Sequence, residues 1–159
     1  DLAQSRNVAA LVADEMELAR DLKADGVHLS WTEDVAVRHA DAREILGPRF
    51  ITGADAGGSR HTAMELGEAT ADYVCFSIAA DGEDREADTA HRLDLVEWWA
   101  DIFQPPVVAF EVDSPEDAAA LARAGADFVA IKLPTLPPAE IAAWLRPYLE
   151  ALAHKHAPV

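Results

Sequence analysis

One cysteine, Cys75, occurs in 159 residues, so no disulfide closes within the chain. That scarcity fits a reducing compartment, and the expected localisation is cytoplasmic. Basic side chains are also few: 13 Lys and Arg stand against 29 Asp and Glu, for a net charge of −16. A surface that negative repels phosphate backbones and anionic headgroups, which argues against nucleic-acid and membrane-surface partners. No apolar run approaches the ~20 residues that span a bilayer. What the chain does have is a hydrophobic half, enough for one real core, and a single domain over 1–159 is expected.

Apolar runs at 8–12, 26–29, 50–52, 73–77, 107–110 and 128–131 read as strands covered on both faces. Helical stretches follow at 15–23, 35–46, 62–69 and 91–103. Another begins at Pro115 with Ser114 as its cap, and the last is 138–154, which Pro147 should kink or divide. Three segments repeat: Ala24-Asp25-Gly26-Val27-His28-Leu29, Ala71-Asp72-Tyr73-Val74-Cys75-Phe76 and Ala126-Asp127-Phe128-Val129-Ala130-Ile131. The copies lie two strand–helix units apart. Alternate strands of a (β/α) barrel share interior layers, so the fold expected is an α/β TIM-type (β/α) barrel with about six of the usual eight units. A doubly wound open sheet is the alternative.

Chemistry in such folds belongs at the strand C-termini. Asp14 follows the first strand, where a carboxylate serves either as an Mg²⁺ ligand or as the cap of the next helix. Glu33 and Asp34, beyond the second strand, offer the same choice. The stretch Asp55-Ala56-Gly57-Gly58-Ser59-Arg60-His61 combines a glycine turn with a hydroxyl, a positive charge and an acid/base group. The bland reading of it is a turn with Ser59 capping its helix. Trp31 is placed to line a pocket, whereas Trp98 and Trp99 read as packing. Residues 81–88 read as a solvated acidic loop. Lys132 either binds a phosphate or pairs with Glu111 on the neighbouring strand end, and Glu111 is expected to face the pocket.

The run Asn7-Val8-Ala9-Ala10-Leu11-Val12-Ala13-Asp14, followed by the Ala-Asp-Gly-Val-His-Leu element, resembles the thiamin phosphate synthase and TenI superfamily. The likeness continues through Ala42-Arg43-Glu44-Ile45-Leu46-Gly47, Ser59-Arg60-His61-Thr62, Ala71-Asp72-Tyr73-Val74, Pro106-Val107-Val108-Ala109 and Ala124-Gly125-Ala126-Asp127. It implies a TIM-type barrel, a homodimer, and coupling of a pyrimidine pyrophosphate to a thiazole phosphate with Mg²⁺. Its TenI branch implies thiazole tautomerisation instead. The likeness begins before the family's third strand, so the chain is expected to lack the first two strands and to be a fragment of a longer polypeptide.

By resemblance, Asp14 with Glu33 or Asp34 would hold Mg²⁺, Ser59 would contact pyrophosphate, and His61 would be the acid/base of the tautomerase branch. The remaining ligand-binding candidates from the residues themselves are Arg60, Trp31, Glu111 and Lys132. Other family elements are replaced. The Thr-x-Thr-Lys loop becomes residues 81–88, the Gly-Gly cradle becomes Glu111-Val112, and the last strand's serine falls at Leu133. A carboxylate beside a phosphate dianion costs several kcal/mol in a poorly solvated site. The resulting expectation is a diverged member with synthase activity in doubt. The alternatives are a non-catalytic small-molecule binding or regulatory protein, and a tautomerase acting through His61.

Overall fold

The computed structural model describes residues 2–78, 82 and 84–153. In chain order the elements are β1 (Leu11–Ala13), α1 (Met16–Asp21), β2 (Gly26–Leu29), α2 (Val35–Leu46), β3 (Ile51–Asp55), α3 (Arg60–Glu68), β4 (Tyr73–Phe76), α4 (Arg85–Ile102), β5 (Val107–Ala109), α5 (Pro115–Arg123), β6 (Phe128–Val129) and α6 (Pro138–Ala153), after a 3-10 turn at Gln4–Arg6. The chain divides into two compact units, Asp1–Cys75 and Phe76–Val159. In the first, β1, β2, β3 and the start of β4 pair in parallel and in chain order. In the second, β5 and β6 pair in parallel, and the Phe110 amide donates to the Phe76 carbonyl at 3.0 Å. The alternating α/β architecture with parallel strands agrees with the expectation.

The Ala-Asp repeat proves to be a joint between a helix and two strands. Before it stands a residue in the left-handed region: Lys23 (φ 55°), Thr70 (φ 58°) or Gly125 (φ 106°). The alanine amide then donates back into the helix, from Ala24 to Ala19, Ala71 to Leu66 and Ala126 to Leu121. This closes the last turn in a Schellman-type stop. The aspartate carboxylate accepts an amide at the start of the neighbouring strand, from Ala10 (2.7 Å), Thr52 (2.7 Å) and Val107 (2.9 Å) in turn. Each aspartate amide also donates to the carbonyl of that same residue. One dipeptide thus ends a helix and sets a strand register, which is why it recurs.

In the first unit the core is Val27, Leu29, Ala54 and Val74 against Val35, Ala42, Leu46, Ala63 and Leu66. In the second it is Phe76, Val107 and Ala109 with Leu95, Val96, Trp99, Ala118 and Leu121. Each fully buried Val, Leu or Phe contributes about 1.5–3 kcal/mol. Trp99 stacks on Phe103 and donates its indole N–H to the Pro105 carbonyl at 2.8 Å, and Trp98 packs beside it, as a packing role requires.

Strands β2 to β5 are buried as expected. The outermost β1 and β6 are not: Leu11 is 37% and Phe128 65% exposed. Each of these two strands pairs on one side only among the described residues. Strand 26–29 and helix 35–46 fall where the pattern puts them. Helix α4 starts at Arg85 rather than 91, because the Asp84 carboxylate caps it by accepting from the Ala87 amide, and Glu86 and Asp88 favour its positive end. Much of the expected acidic loop is therefore helix; residues 81 and 83 lie outside the described residues. Helix α6 runs through Pro147 undivided, since one missing N–H removes only one bond of the ladder.

Candidate functional site

In the first unit the register His28↔Gly53↔Tyr73 brings three residues into one row across β2, β3 and β4, and Asp55↔Cys75 forms the next row on the same face. A Cβ on Gly53 would collide with the Tyr73 ring. Glycine there lets the tyrosine lean across β3, so that its hydroxyl meets His28 Nδ1 at 2.9 Å with the two rings parallel within 1°. Burial pulls the His28 pKa down, with Asp55 and Asp14 opposing. Burial pushes the Tyr73 phenol and the Cys75 thiol up, the latter with help from Asp55. Both are therefore neutral side chains at neutral pH. Asp55 is itself buried and accepts the Gly57 amide at 2.7 Å, which shapes the glycine turn.

At the strand ends of this unit, Asp14 does not cap α1. It occupies a left-handed position (φ 61°) and reaches across to the loop after β2. It accepts from the Ser30 amide (2.8 Å), the Ser30 hydroxyl (2.7 Å) and Arg38 (2.8 Å). Partial burial raises its pKa, but the bonds from Arg38 and Ser30 together outweigh that and hold it below the ordinary carboxylate value. Glu33 and Asp34 are exposed, and Asp34 stands at the α2 N-cap without a side-chain bond. Among the described residues no group of three or more His, Cys, Asp or Glu could hold a metal ion. Asp14 is thus tied to a guanidinium, while Glu33 and Asp34 stand exposed on the loop that leads into α2.

Ser59 accepts the Thr62 amide at 3.2 Å and caps α3, as the bland reading had it. Arg60 and His61 follow in the first turn. The His61 side chain is 80% exposed and lies 3.5 Å from Glu65, one turn along the helix. Trp31 is 49% exposed. Its ring covers Gly57, where a Cβ would stand 2.5 Å away and where φ is +59°. The indole thus roofs the glycine turn and keeps half of its surface open.

In the second unit a cavity of about 370 Å³ opens at the ends of β5 and β6, lined by Phe110, Glu111, Asp113, Ala130, Ile131 and Lys132, with Val112 beside them. That volume lies within the range of small-molecule sites. Glu111 lines the cavity as expected, in a left-handed backbone conformation (φ 56°) of the kind glycine adopts readily. Its loop is fastened from α4. Buried Arg92 donates to the carbonyls of Phe110 and Glu111 and, bidentately at 2.7 Å, to Asp117. Arg85 grips Asp113 at 2.9 and 2.8 Å, which holds the Asp113 pKa down. Neither Glu111 nor Lys132 enters an ion pair among the described residues, so of the two roles weighed for Lys132 the pairing with Glu111 is not formed.

Sequence reasoning missed the His28–Tyr73 pair, buried Asp55 with Cys75, and the Arg85 and Arg92 fasteners. For the strand residues the available signal was non-aliphatic residues at alternate positions in otherwise apolar strands, Gly53/Asp55 and Tyr73/Cys75.

A family model described as thiamine monophosphate synthase matches residues 1–132. A thiamine-phosphate synthase of Erythrobacter litoralis is 41% identical over 82% of this chain and 61% of its own length. Another, of Hyphomonas neptunium, is 43% identical over 82% of this chain and 58% of its own. The chain therefore spans about 60% of the length of these relatives. In structure it is similar to a thiamine phosphate pyrophosphorylase from Pyrococcus furiosus, with a TM-score of 0.74 and 22% identity over 98% of this chain and 73% of that one. No described helix is long and apolar enough to cross a membrane. On these grounds the chain belongs to the thiamine monophosphate synthase family.

Proposed function

We propose that the chain serves the thiamin phosphate synthase reaction, joining a pyrimidine pyrophosphate to a thiazole phosphate with release of pyrophosphate. The observation that carries this is the 41–43% identity to relatives named thiamine-phosphate synthase. That similarity favours a working synthase over a diverged protein, a non-catalytic binder or a tautomerase. An exposed His61 paired to Glu65 also gives the tautomerase no enclosed acid/base group.

In this reading the first unit handles the pyrimidine pyrophosphate. The neutral His28–Tyr73 pair and the open face of Trp31 meet the heterocycle, and Ser59 and Arg60 meet the diphosphate. Mg²⁺ enters as part of that substrate, its charge offsetting that of the leaving pyrophosphate. Asp14 is the carboxylate that follows β1, and Glu33 and Asp34 lie on the loop after β2. The second unit handles the thiazole phosphate through the cavity of Glu111 and Lys132. The same proposal holds the protein to be a cytoplasmic homodimer on a TIM-type barrel, with 1–159 as one domain. The test is pyrophosphate release by the chain with Mg²⁺ and both substrates. Release that needs both, with thiamin phosphate formed, supports the reading; none from folded protein refutes it.

A further inference from the structure

One buried titratable side chain takes no part in either strand-end site. His39 lies on the buried face of α2, 1% exposed, and neither ring nitrogen has a hydrogen-bond partner among the described residues. One turn along, Arg43 donates to the Phe50 and Thr70 carbonyls at 3.1 Å and to the Asp72 carboxylate at 2.8 Å. Asp72 in turn accepts the Thr52 amide at 2.7 Å and donates its own amide to the Thr52 carbonyl at 3.0 Å. The ring therefore stands beside the Ala-Asp joint that ties β3 to the start of β4. Asp25 and Asp127 set the other two joints, and neither enters an ion pair among the described residues.

Burial and the Arg43 charge lower the His39 pKa; the Thr52 carbonyl and Asp72 pull the other way and are outweighed. The elements β2, α1 and α3 also pack on α2 and add no charge that acts on the ring. The neutral ring is the form this space accepts.

We propose that His39 is an acid-sensitive latch in the first unit, whose protonation loosens α2 from β3 and frees the Arg43–Asp72 joint. A proton on the ring sets a second cation one turn from Arg43, with the Thr52 carbonyl already taken by the Asp72 amide. The cost is relieved when the ring turns out to water, which lifts the buried face of α2, Val35, Ala42 and Leu46, off β3. Tyr73 follows Asp72 directly, so the loosening reaches the His28–Tyr73 row. Stability held by the neutral ring is full above the ordinary histidine value of about 6.5 and is lost as pH falls toward the lowered folded value. In the second unit the described histidine, His91, is exposed, so the response belongs to the first.

The test is amide hydrogen exchange of the whole chain at about pH 7 and about pH 5.5, read as protection factors. Protection of the Thr52 and Asp72 amides is expected to fall about tenfold more than that of Val107 and Asp127, which form the same joint in the second unit. His39→Leu fills the space without a titrating group, and His39→Gln keeps polarity without one. In whichever folds as the wild type does, the extra fall is expected to disappear. An equal fall at both joints in the wild type overturns the latch, because acid then acts on the whole chain. So does an extra fall that persists in the folded variants, or no extra fall at all. Failure of both variants to fold at neutral pH also overturns it, since the ring would then serve structure rather than sensing.

Discussion

The two units use their charged and polar groups in opposite ways. In the first, titratable side chains are buried between strands or paired at their ends: His28 with Tyr73, Asp55 with the Gly57 amide, Asp14 with Arg38 and Ser30. In the second, Arg85 and Arg92 hold the loop after β5 from behind, through Asp113, Asp117 and backbone carbonyls. Glu111 and Lys132 are left at the cavity. The first unit is braced by its own polar residues, while the second braces a loop and leaves two charges for something else.

The contrast breaks most severely at Arg92. Arg92→Met should destabilise the chain by about 3–5 kcal/mol, because it strands the Asp117 carboxylate and two carbonyls. Urea unfolding followed by circular dichroism measures this. A loss under 1 kcal/mol would mean the loop does not depend on that cation. In the first unit Gly57→Ala pushes a methyl against Trp31 in a left-handed position, and a loss of about 2 kcal/mol is expected by the same method. Restoration by Trp31→Ala of part of that loss would confirm that the ring is the obstacle.

The third way to sharpen the comparison is pH. Burial depresses the pKa of His28 and of His39. The unfolded chain therefore binds more protons than the folded one as pH falls through the ordinary histidine value of about 6.5. Stability contributed by the neutral rings is full above that value and is lost as pH drops toward the depressed folded values. Carboxylates held low, Asp14 and Asp113, lose their contribution only further down, below about 4. His28→Asn should flatten the slope between pH 7 and 5; an unchanged slope would remove His28 from the account. The smallest effect is a gain. Thr70 is a β-branched residue at φ 58°, and Thr70→Gly should stabilise by about 1 kcal/mol in thermal unfolding.

Much of the scaffold was legible because apolar runs and the Ala-Asp repeat report local events: a helix stop, a strand start, a carboxylate on an amide. Ser59 was legible as a cap for the same reason. The His28–Tyr73 pair was not, because it depends on register between strands 45 residues apart in sequence and on Gly53 lying between them. Asp14 misled as a cap because it turns left-handed and crosses to the next loop, a backbone choice that its immediate neighbours do not announce. Arg85 hid in what read as a loop, because the helix start was set too late; Arg92 lay inside the expected helix, but its reach to the loop after β5 spans 18 residues of sequence that no local pattern reports.

The central proposal is that each unit binds its own half of the proposed substrates, and amide NMR of the chain tests it most directly. Magnesium pyrimidine pyrophosphate should shift Gly57, Ser59 and the Trp31 indole, while thiazole phosphate should shift Glu111 and Lys132. Thiazole phosphate perturbing the first set and sparing Glu111 and Lys132, or no shifts from either ligand, would contradict it.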